Sequence, residues 1–224
     1  MRHLRIYNLL CLVAALLFLS CKGIGERGGI EQRISGSSYV NTKVILEPGR
    51  YVQWCQNTDN GLKKNKEIGD ITYLLFYKPI EYVIAQELQS DSISQSIYRR
   101  KNSELEGLDY FDFKIQLTSS EGELLKYRVG STVEYQERLN YFAFQMQKDL
   151  KMVEGMDTID CELFHFERAY DVAPYAVFLL GFPKQNSDAK ERTFFYQDNM
   201  FHKGIIKFTY TKEEMRDVPK LKTI

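Results

Sequence analysis

Three side chains within one short stretch are the clearest candidates for chemistry in this sequence. Cys161, His165 and Glu167 lie in the alternating segment 160–168 and share one parity, so a strand would place them on one face. At about 3.3 Å per residue, His165 and Glu167 would be about 6.6 Å apart, and Cys161 about 13 Å from His165. A thiolate–imidazole nucleophile is therefore not expected. His165 and Glu167 could hold a metal ion or substrate only with another strand; the alternative is a half-buried histidine beside a surface carboxylate.

Trp54 is a weaker candidate for ligand binding. It lies close to a turn expected at residues 57–61, and an exposed indole there could stack on a sugar. Alternating aromatic residues are also what the core of a β protein needs, so packing explains the same pattern.

The known catalytic motifs give no further candidate. Nucleotide-binding loops, zinc-protease helices and nucleophile elbows do not occur in the sequence. Carboxylates are numerous but scattered, and a hydrolase pair needs only spatial proximity, so such a pair stays possible. We expect no metal site and no cofactor.

Cys55 and Cys161 are the two cysteines expected in the mature chain. In an oxidising compartment they could form a disulfide that closes a loop of about one hundred residues, for which loop entropy suggests about 4–5 kcal/mol. The alternative is two buried free thiols, because free cysteine packs as a small hydrophobic residue.

The first twenty-one residues carry a targeting signal. Arg2 and Arg5 precede an apolar run over 9–19, which Ser20 and Cys21 close. A basic start followed by such a run is typical of a secretory signal peptide. The run has about eleven residues, whereas a membrane-spanning helix needs roughly twenty. Cys11 lies inside the run, and we interpret it as part of the removed peptide.

Residues 17–21 (LFLSC) resemble the lipobox of bacterial lipoproteins, in which a small residue precedes a cysteine that is lipidated and becomes the mature N-terminus. Phe18 departs from the leucine that is usual in that family. The resemblance implies lipidation of Cys21 and attachment to a membrane through two or three acyl chains, which suffice for stable anchoring. Lys22, in place of the aspartate that retains enteric lipoproteins in the inner membrane, implies delivery to the outer membrane. In overall composition the chain is similar to uncharacterised small lipoproteins of Bacteroidota.

Composition restricts the other function classes. Removing residues 1–20 takes away two of the thirty basic side chains and no acidic one, which leaves 28 against 30. Such a near-neutral chain gives no electrostatic case for binding nucleic acid. Residues 21–38 are rich in glycine and serine and are interpreted as the lipidated N-terminus and a flexible tether. Residues 39–224 are expected to form a single globular domain.

Alternation and turn residues predict mainly strands in this domain. Expected strands cover the segments 43–47, 50–56, 71–77, 110–118, 124–129, 160–168, 174–182, 192–197 and 204–210. One helix is expected over 92–105, and 132–153 should begin as a helix and continue as a strand from about residue 141. Residues 80–88 fit either structure, and Thr211 with Glu214 predicts a capping box before a short helical turn. The expected fold is a β-rich α+β domain, a two-layer antiparallel β-sandwich with one or two helices.

These observations predict a lipid-anchored cell-envelope protein with a non-catalytic binding or scaffold domain. The alternatives are an envelope hydrolase that uses scattered carboxylates, and a module that binds a glycan or peptide. Expected partners are the membrane, through the lipid, and another envelope protein or a glycan.

Overall fold

Two antiparallel sheets packed face to face form the core of the protein. The computed structural model describes residues 43–119, 122–167 and 173–224, and the strands and helices below are those of these ranges. The strands are β1 (Ile45–Leu46), β2 (Lys63–Ile68), β3 (Ile71–Lys78), β4 (Leu108–Leu117), β5 (Leu150–Glu154), β6 (Asp157–Asp160), β7 (Leu163–Glu167), β8 (Tyr175–Pro183), β9 (Glu191–Asp198), β10 (Gly204–Thr211) and β11 (Lys220–Leu221). The helices are α1 (Pro48–Gln56), α2 (Ile80–Leu88), α3 (Gln95–Leu105), α4 (Thr132–Asn140) and α5 (Lys212–Arg216).

One sheet has the strand order β2-β3-β4-β8-β7, and the other has the order β10-β9-β5-β6. All pairs within these two sheets are antiparallel, whereas β1 and β11 form a small parallel ribbon. The expected β-rich α+β sandwich is therefore confirmed. The expected number of helices, one or two, is wrong, because five α-helices occur in the described ranges.

Aromatic rings fill the space between the sheets. The ring centroid of Phe113 on β4 lies 5.1 Å from that of Phe194 and 5.3 Å from that of Tyr196, both on β9. On the outer face of the first sheet, Tyr82 of α2 packs edge-on against Phe76 of β3, with ring centroids 5.1 Å apart. The aromatic content is thus used largely for packing between layers, as a β core requires.

The segment 50–56, expected as a strand, is a helix instead. Pro48 occupies the first turn of α1, where its fixed φ suits a helix and its missing N–H costs nothing. Tyr51 and Cys55 are one helical turn apart and both are buried. The same residues also fit strand alternation, so the short apolar pattern was ambiguous.

The expected strand over 124–129 is also absent from the described residues. Leu124–Lys126 forms a single 3₁₀ turn. Instead of a strand partner, the guanidinium of Arg138 on α4 satisfies this backbone, donating to the carbonyl oxygens of Leu125 and Tyr127 at 3.2 and 2.7 Å. Residues 120 and 121, shortly before this segment, lie outside the described residues.

Two other boundaries differ from expectation, and one segment that was left open is now assigned. Residues 80–88, which fitted either structure, are helical, with Pro79 as the N-cap. The helix expected over 92–105 begins only at Gln95, after Ser94, whose hydroxyl oxygen accepts a hydrogen bond from Ile97 N–H. The strand expected from about residue 141 begins only at Leu150, because the chain continues beyond α4 as a π turn and a 3₁₀ turn. The capping box of Thr211 and Glu214 is confirmed.

The expected strand 160–168 is divided between the two sheets. β6 belongs to the second sheet and β7 to the first, and the chain crosses at Cys161 and Glu162. Glu162 N–H donates to the carbonyl oxygen of Gly181 at 2.9 Å, and the Gln147 side chain donates to that of Cys161 at 2.8 Å. This crossing joins the two sheets along one side of the sandwich.

Lysine side chains join the sheets along the other side. Lys64 and Lys66 on β2 point inward and donate to the carbonyl oxygens of Thr209 and Lys207 on β10, at 2.7 and 3.2 Å. Lys66 follows Lys64 by two residues on β2, whereas Lys207 precedes Thr209 by two residues on β10. The contacts therefore run in the order of an antiparallel strand pair. The ammonium groups of Lys64 and Lys66 therefore take the place of the backbone N–H donors of a paired strand. We call these two residues the lysine seam. Inward-pointing charges also protect an edge strand from pairing with another chain.

We expect the double substitution Lys64→Met, Lys66→Met to promote self-association of the protein. It exposes the carbonyl row of β10 to a neighbouring chain, whereas the loss of partly exposed ion contacts should lower the free energy of unfolding by only about 1 kcal/mol or less. Sedimentation velocity and denaturant unfolding measure the two effects. The matched control is Lys148→Met, Lys220→Met, two exposed lysines. Equal association of both variants would contradict a protective role of the lysine seam.

Candidate charged cavity

The inward face of β9 has a charged residue at each end and aromatic residues between them. Arg192, Phe194, Tyr196 and Asp198 alternate along this face. Arg192 is 3% exposed and Asp198 is 2% exposed, so both charges are buried at opposite ends of the aromatic core. A buried charge is stable only when it is paired and hydrogen-bonded, so the surroundings of each end are informative.

Asp198 organises the turn between β9 and β10. Its carboxylate accepts hydrogen bonds from the hydroxyl groups of Tyr73 and Tyr196, at 2.5 and 3.3 Å. It also accepts from the backbone N–H groups of Met200 and Phe201, at 3.1 and 2.9 Å. These donors, together with Lys203 N–H at 3.3 Å, compensate the buried charge of Asp198.

Arg192 gathers groups from several elements at the other end. Its guanidinium pairs with Asp109 on β4, and Nε lies 2.7 Å from Glu154 Oε2 on β5. Another N–H donates to the Pro183 carbonyl oxygen at 3.2 Å. Lys212, at the start of α5, reaches the other oxygen of Glu154 at 2.8 Å. We call Arg192, Lys212, Asp109 and Glu154 the buried quartet.

The two carboxylates of the buried quartet are shifted in opposite directions. Burial raises the pKa of Asp109 above its ordinary value, against the opposing charge of Arg192. Burial also acts to raise the pKa of Glu154, but bonds from Lys212 and Ser187, together with Arg192, lower that pKa overall. Paired carboxylates with diverging pKa values are a feature of acid–base sites. Here, however, both carboxylates form ion pairs with the same guanidinium.

A cavity of about 300 Å³ opens beside the buried quartet, and we call it the Arg192 cavity. Tyr77 and Met215 contribute to its wall, and the exposed side chains of Lys184 and Arg216 also line it. Within the described part of the chain, these last two side chains make no ion pair or side-chain hydrogen bond. The cavity therefore has a floor of paired charges and an exposed basic rim.

The residues singled out from the sequence do not meet at one place. His165 and Glu167 are exposed on β7, opposite Leu179 and Val177 of β8. Cys161 lies outside that strand, at the crossing between the sheets, so the expected common face is wrong for it. Across the described ranges, no three His, Cys, Asp or Glu side chains gather as metal ligands.

Trp54 lies on α1, not on a strand. It is half-buried and lines a surface groove of about 250 Å³ together with Val44, Leu46 and Val218. The indole packs partly against the core, which fits the packing interpretation of this residue.

Cys55 and Cys161 are both buried free thiols in the structure, which is the alternative to the disulfide. Cys55 lies on α1, and Cys161 Sγ donates to the Leu163 carbonyl oxygen at 3.0 Å. Burial raises the pKa of each thiol to about 12. Both thiols are therefore protonated and unreactive at neutral pH. Cys21 and the whole expected signal peptide and tether lie outside the described residues.

No protein-family model, curated protein or solved structure matches this chain. Among the helices of the described residues, none combines the length and the apolar character that crossing a bilayer requires. The function is therefore inferred from the chain's own residues.

The sequence did not identify the buried quartet. One signal for Arg192 was available: in the segment 191–198 it has the same parity as Phe194, Tyr196 and Asp198. Phe195 has the opposite parity, so alternation alone did not decide which face is buried. Asp109 and Glu154 come from distant strands, and nothing in a single sequence connects them to Arg192.

Proposed function

We propose that this chain is a lipid-anchored protein of the cell envelope whose strand-rich domain binds an envelope component and is not an enzyme. The Ser20-Cys21 pair after the apolar run 9–19 supports the anchor, and the glycine-rich segment 22–38 supports a tether that holds the domain off the bilayer. Lys22 after the cysteine favours the outer membrane. The partner is another envelope protein, a glycan or a smaller envelope molecule.

The Arg192 cavity is the observation that supports binding. It combines a rigid charged floor with the exposed basic side chains of Lys184 and Arg216, which have no ion-pair partner among the described residues. Concave sites with a few fixed polar groups are where small ligands usually bind. The basic rim offers two side chains that a ligand can use without breaking an existing contact.

Three arrangements disfavour catalysis. Arg192 engages the carboxylates of both Asp109 and Glu154, so neither is free to exchange a proton with a bound molecule. The buried thiols are protonated at neutral pH, because their pKa values are raised to about 12. His165 is exposed on β7 opposite Leu179, and it does not line the Arg192 cavity.

A hydrolase is the second candidate, and one observation favours it. The pKa of Asp109 is raised and that of Glu154 is lowered, as for a general acid beside an ionised carboxylate. This candidate requires Arg192 to release at least one of the two carboxylates. It ranks second because both contacts are present together with the additional bond from Lys212.

Metabolic labelling with a palmitate analogue tests the anchor. We expect the parent protein to take up label and Cys21→Ala to take up none, because the acyl chains are attached through that sulfur and its amine. The matched control is Cys11→Ala, which removes the other cysteine of the leader and should label as the parent does. Undiminished labelling of Cys21→Ala, or no labelling of the parent, would overturn the lipid anchor.

A further inference from the structure

We propose that the Arg192 cavity binds a phosphate monoester as its dianion, with Lys184 and Arg216 as the residues that hold the phosphate group. This inference rests on the proposed binding function and adds the chemical class of the ligand. It does not depend on whether Cys21 is lipidated.

The charges of the cavity lining give the sign and size of the ligand charge. Within the buried quartet, two cations face two carboxylates, so the quartet is neutral when all four groups are ionised. Lys184 and Arg216 then add two positive charges that have no ion-pair partner among the described residues. A ligand that completes the charge balance carries two negative charges.

Phosphate monoesters have this charge at neutral pH, because their second pKa is about 6. A monocarboxylate ligand of similar size carries only one negative charge. Arginine also matches phosphate geometry, because its planar fork can donate two parallel hydrogen bonds to two phosphate oxygens, and lysine adds a compact positive charge. The rim thus offers one residue of each type to the phosphate.

The cavity dimensions restrict the ligand to a small molecule. A volume of about 300 Å³ lies at the lower end of the range for small-molecule sites. The buried quartet forms a floor that is already held in place by ion pairs and by the bond from Arg192 to the Pro183 carbonyl oxygen. Such a floor needs little rearrangement when a ligand binds, which lowers the entropic cost of binding.

A second cavity extends the site on the side of α5. It has a volume of about 440 Å³, and Lys212 and Arg216 line both cavities. Ser187, Lys190 and Thr211 contribute polar groups to it, and its acidic residues Asp188 and Glu213 disfavour placing the phosphate group itself there. The alcohol portion of a phosphate ester can therefore lie in this second cavity while the phosphate group remains between Lys184 and Arg216.

Isothermal titration calorimetry on the full chain in detergent tests the proposal, with glycerol 3-phosphate, inorganic phosphate and glycerate as probes. We expect saturable binding of glycerol 3-phosphate at one site and weaker binding of glycerate. In Lys184→Gln, Arg216→Gln the dissociation constant should rise at least about tenfold. Binding should weaken at higher salt and below the second pKa of the phosphate.

The matched control is Arg99→Gln, Lys148→Gln, which makes the same charge change at exposed positions away from the cavity. Inorganic phosphate binding as tightly as the ester would support a free-phosphate source, and tighter binding of the ester would support an organic one. Absence of saturable binding, equal weakening in the control variant, or equal affinity for glycerate would each overturn the proposal. None of these outcomes bears on the palmitate experiment.

Discussion

Replacing Arg192 with leucine is expected to destabilise the domain by about 3–5 kcal/mol, the usual cost of removing one partner from a buried ion pair. The guanidinium is 3% exposed and contacts two buried carboxylates. Glu154 retains Lys212 as a partner, but the structure gives Asp109 no other ion pair among the described residues. Asp109 would therefore be left as a buried charge without an ion pair, and only the more distant charge of Lys184 would still favour its ionised form. Chemical denaturation of the full chain, followed by circular dichroism, measures the loss.

The cost should depend on pH in a defined direction. Burial already raises the pKa of Asp109 above its unfolded value, and the loss of Arg192 raises it further. An acid with a raised pKa in the folded state destabilises that state as pH rises above its unfolded pKa, because the unfolded chain ionises first. We therefore expect Arg192→Leu to be more destabilising at neutral than at mildly acidic pH.

Two comparisons isolate the buried charge as the cause. Adding Asp109→Asn to Arg192→Leu should restore part of the stability, because it removes the charge that lost its partner. Arg99→Leu, at an exposed position of α3, should change stability by less than about 0.5 kcal/mol. A loss below about 1 kcal/mol for Arg192→Leu, or no recovery in the double variant, would contradict the role assigned to the quartet.

Replacing Asp198 with alanine is the second large effect, with an expected loss of about 3–5 kcal/mol. The substitution leaves the hydroxyl groups of Tyr73 and Tyr196 without their common acceptor inside the core. It also frees the N–H groups of Met200 and Phe201 in the following turn. Each buried donor left without a partner costs about 1–3 kcal/mol. Denaturant unfolding of the full chain measures the sum.

Graded variants separate the hydrogen bonds from other effects at this position. Tyr73→Phe should cost less than Asp198→Ala, because it removes only one of the donors. Asp188→Ala, in the exposed segment between β8 and β9, is the matched control and should be nearly neutral. If Asp198→Ala were as well tolerated as Asp188→Ala, this end of the core would not depend on the carboxylate.

Strands with clear alternation and turn residues at both ends could be predicted from the sequence. The expected strands 71–77, 174–182 and 204–210 correspond to β3, β8 and β10 within one or two residues. Helix α1 could not be predicted from the sequence. In the segment 50–56 the buried residues Tyr51 and Cys55 fit the two-residue period of a strand and the period near four of a helix equally well. At Cys161 the chain crosses from one sheet to the other. The alternation of residue types in the sequence continues through this position, so it gives no sign of the crossing.

The candidate site was less predictable than the fold. Its buried groups come from β4, β5, β9 and the start of α5, so only the sheet pairing brings them together. The sequence emphasised His165 and Glu167 because they are close in sequence and chemically versatile. The residues that form the cavity are ordinary charged residues whose burial is decided by neighbours far along the chain.

The identity of the first residue of the native protein tests the envelope anchor. Mass spectrometry of the full protein extracted from membranes is expected to give the mass of a chain that begins at Cys21 and carries acyl chains on that residue. A mass corresponding to a chain that begins at Met1, or at any residue other than an acylated Cys21, would contradict the lipid anchor and the location in the cell envelope.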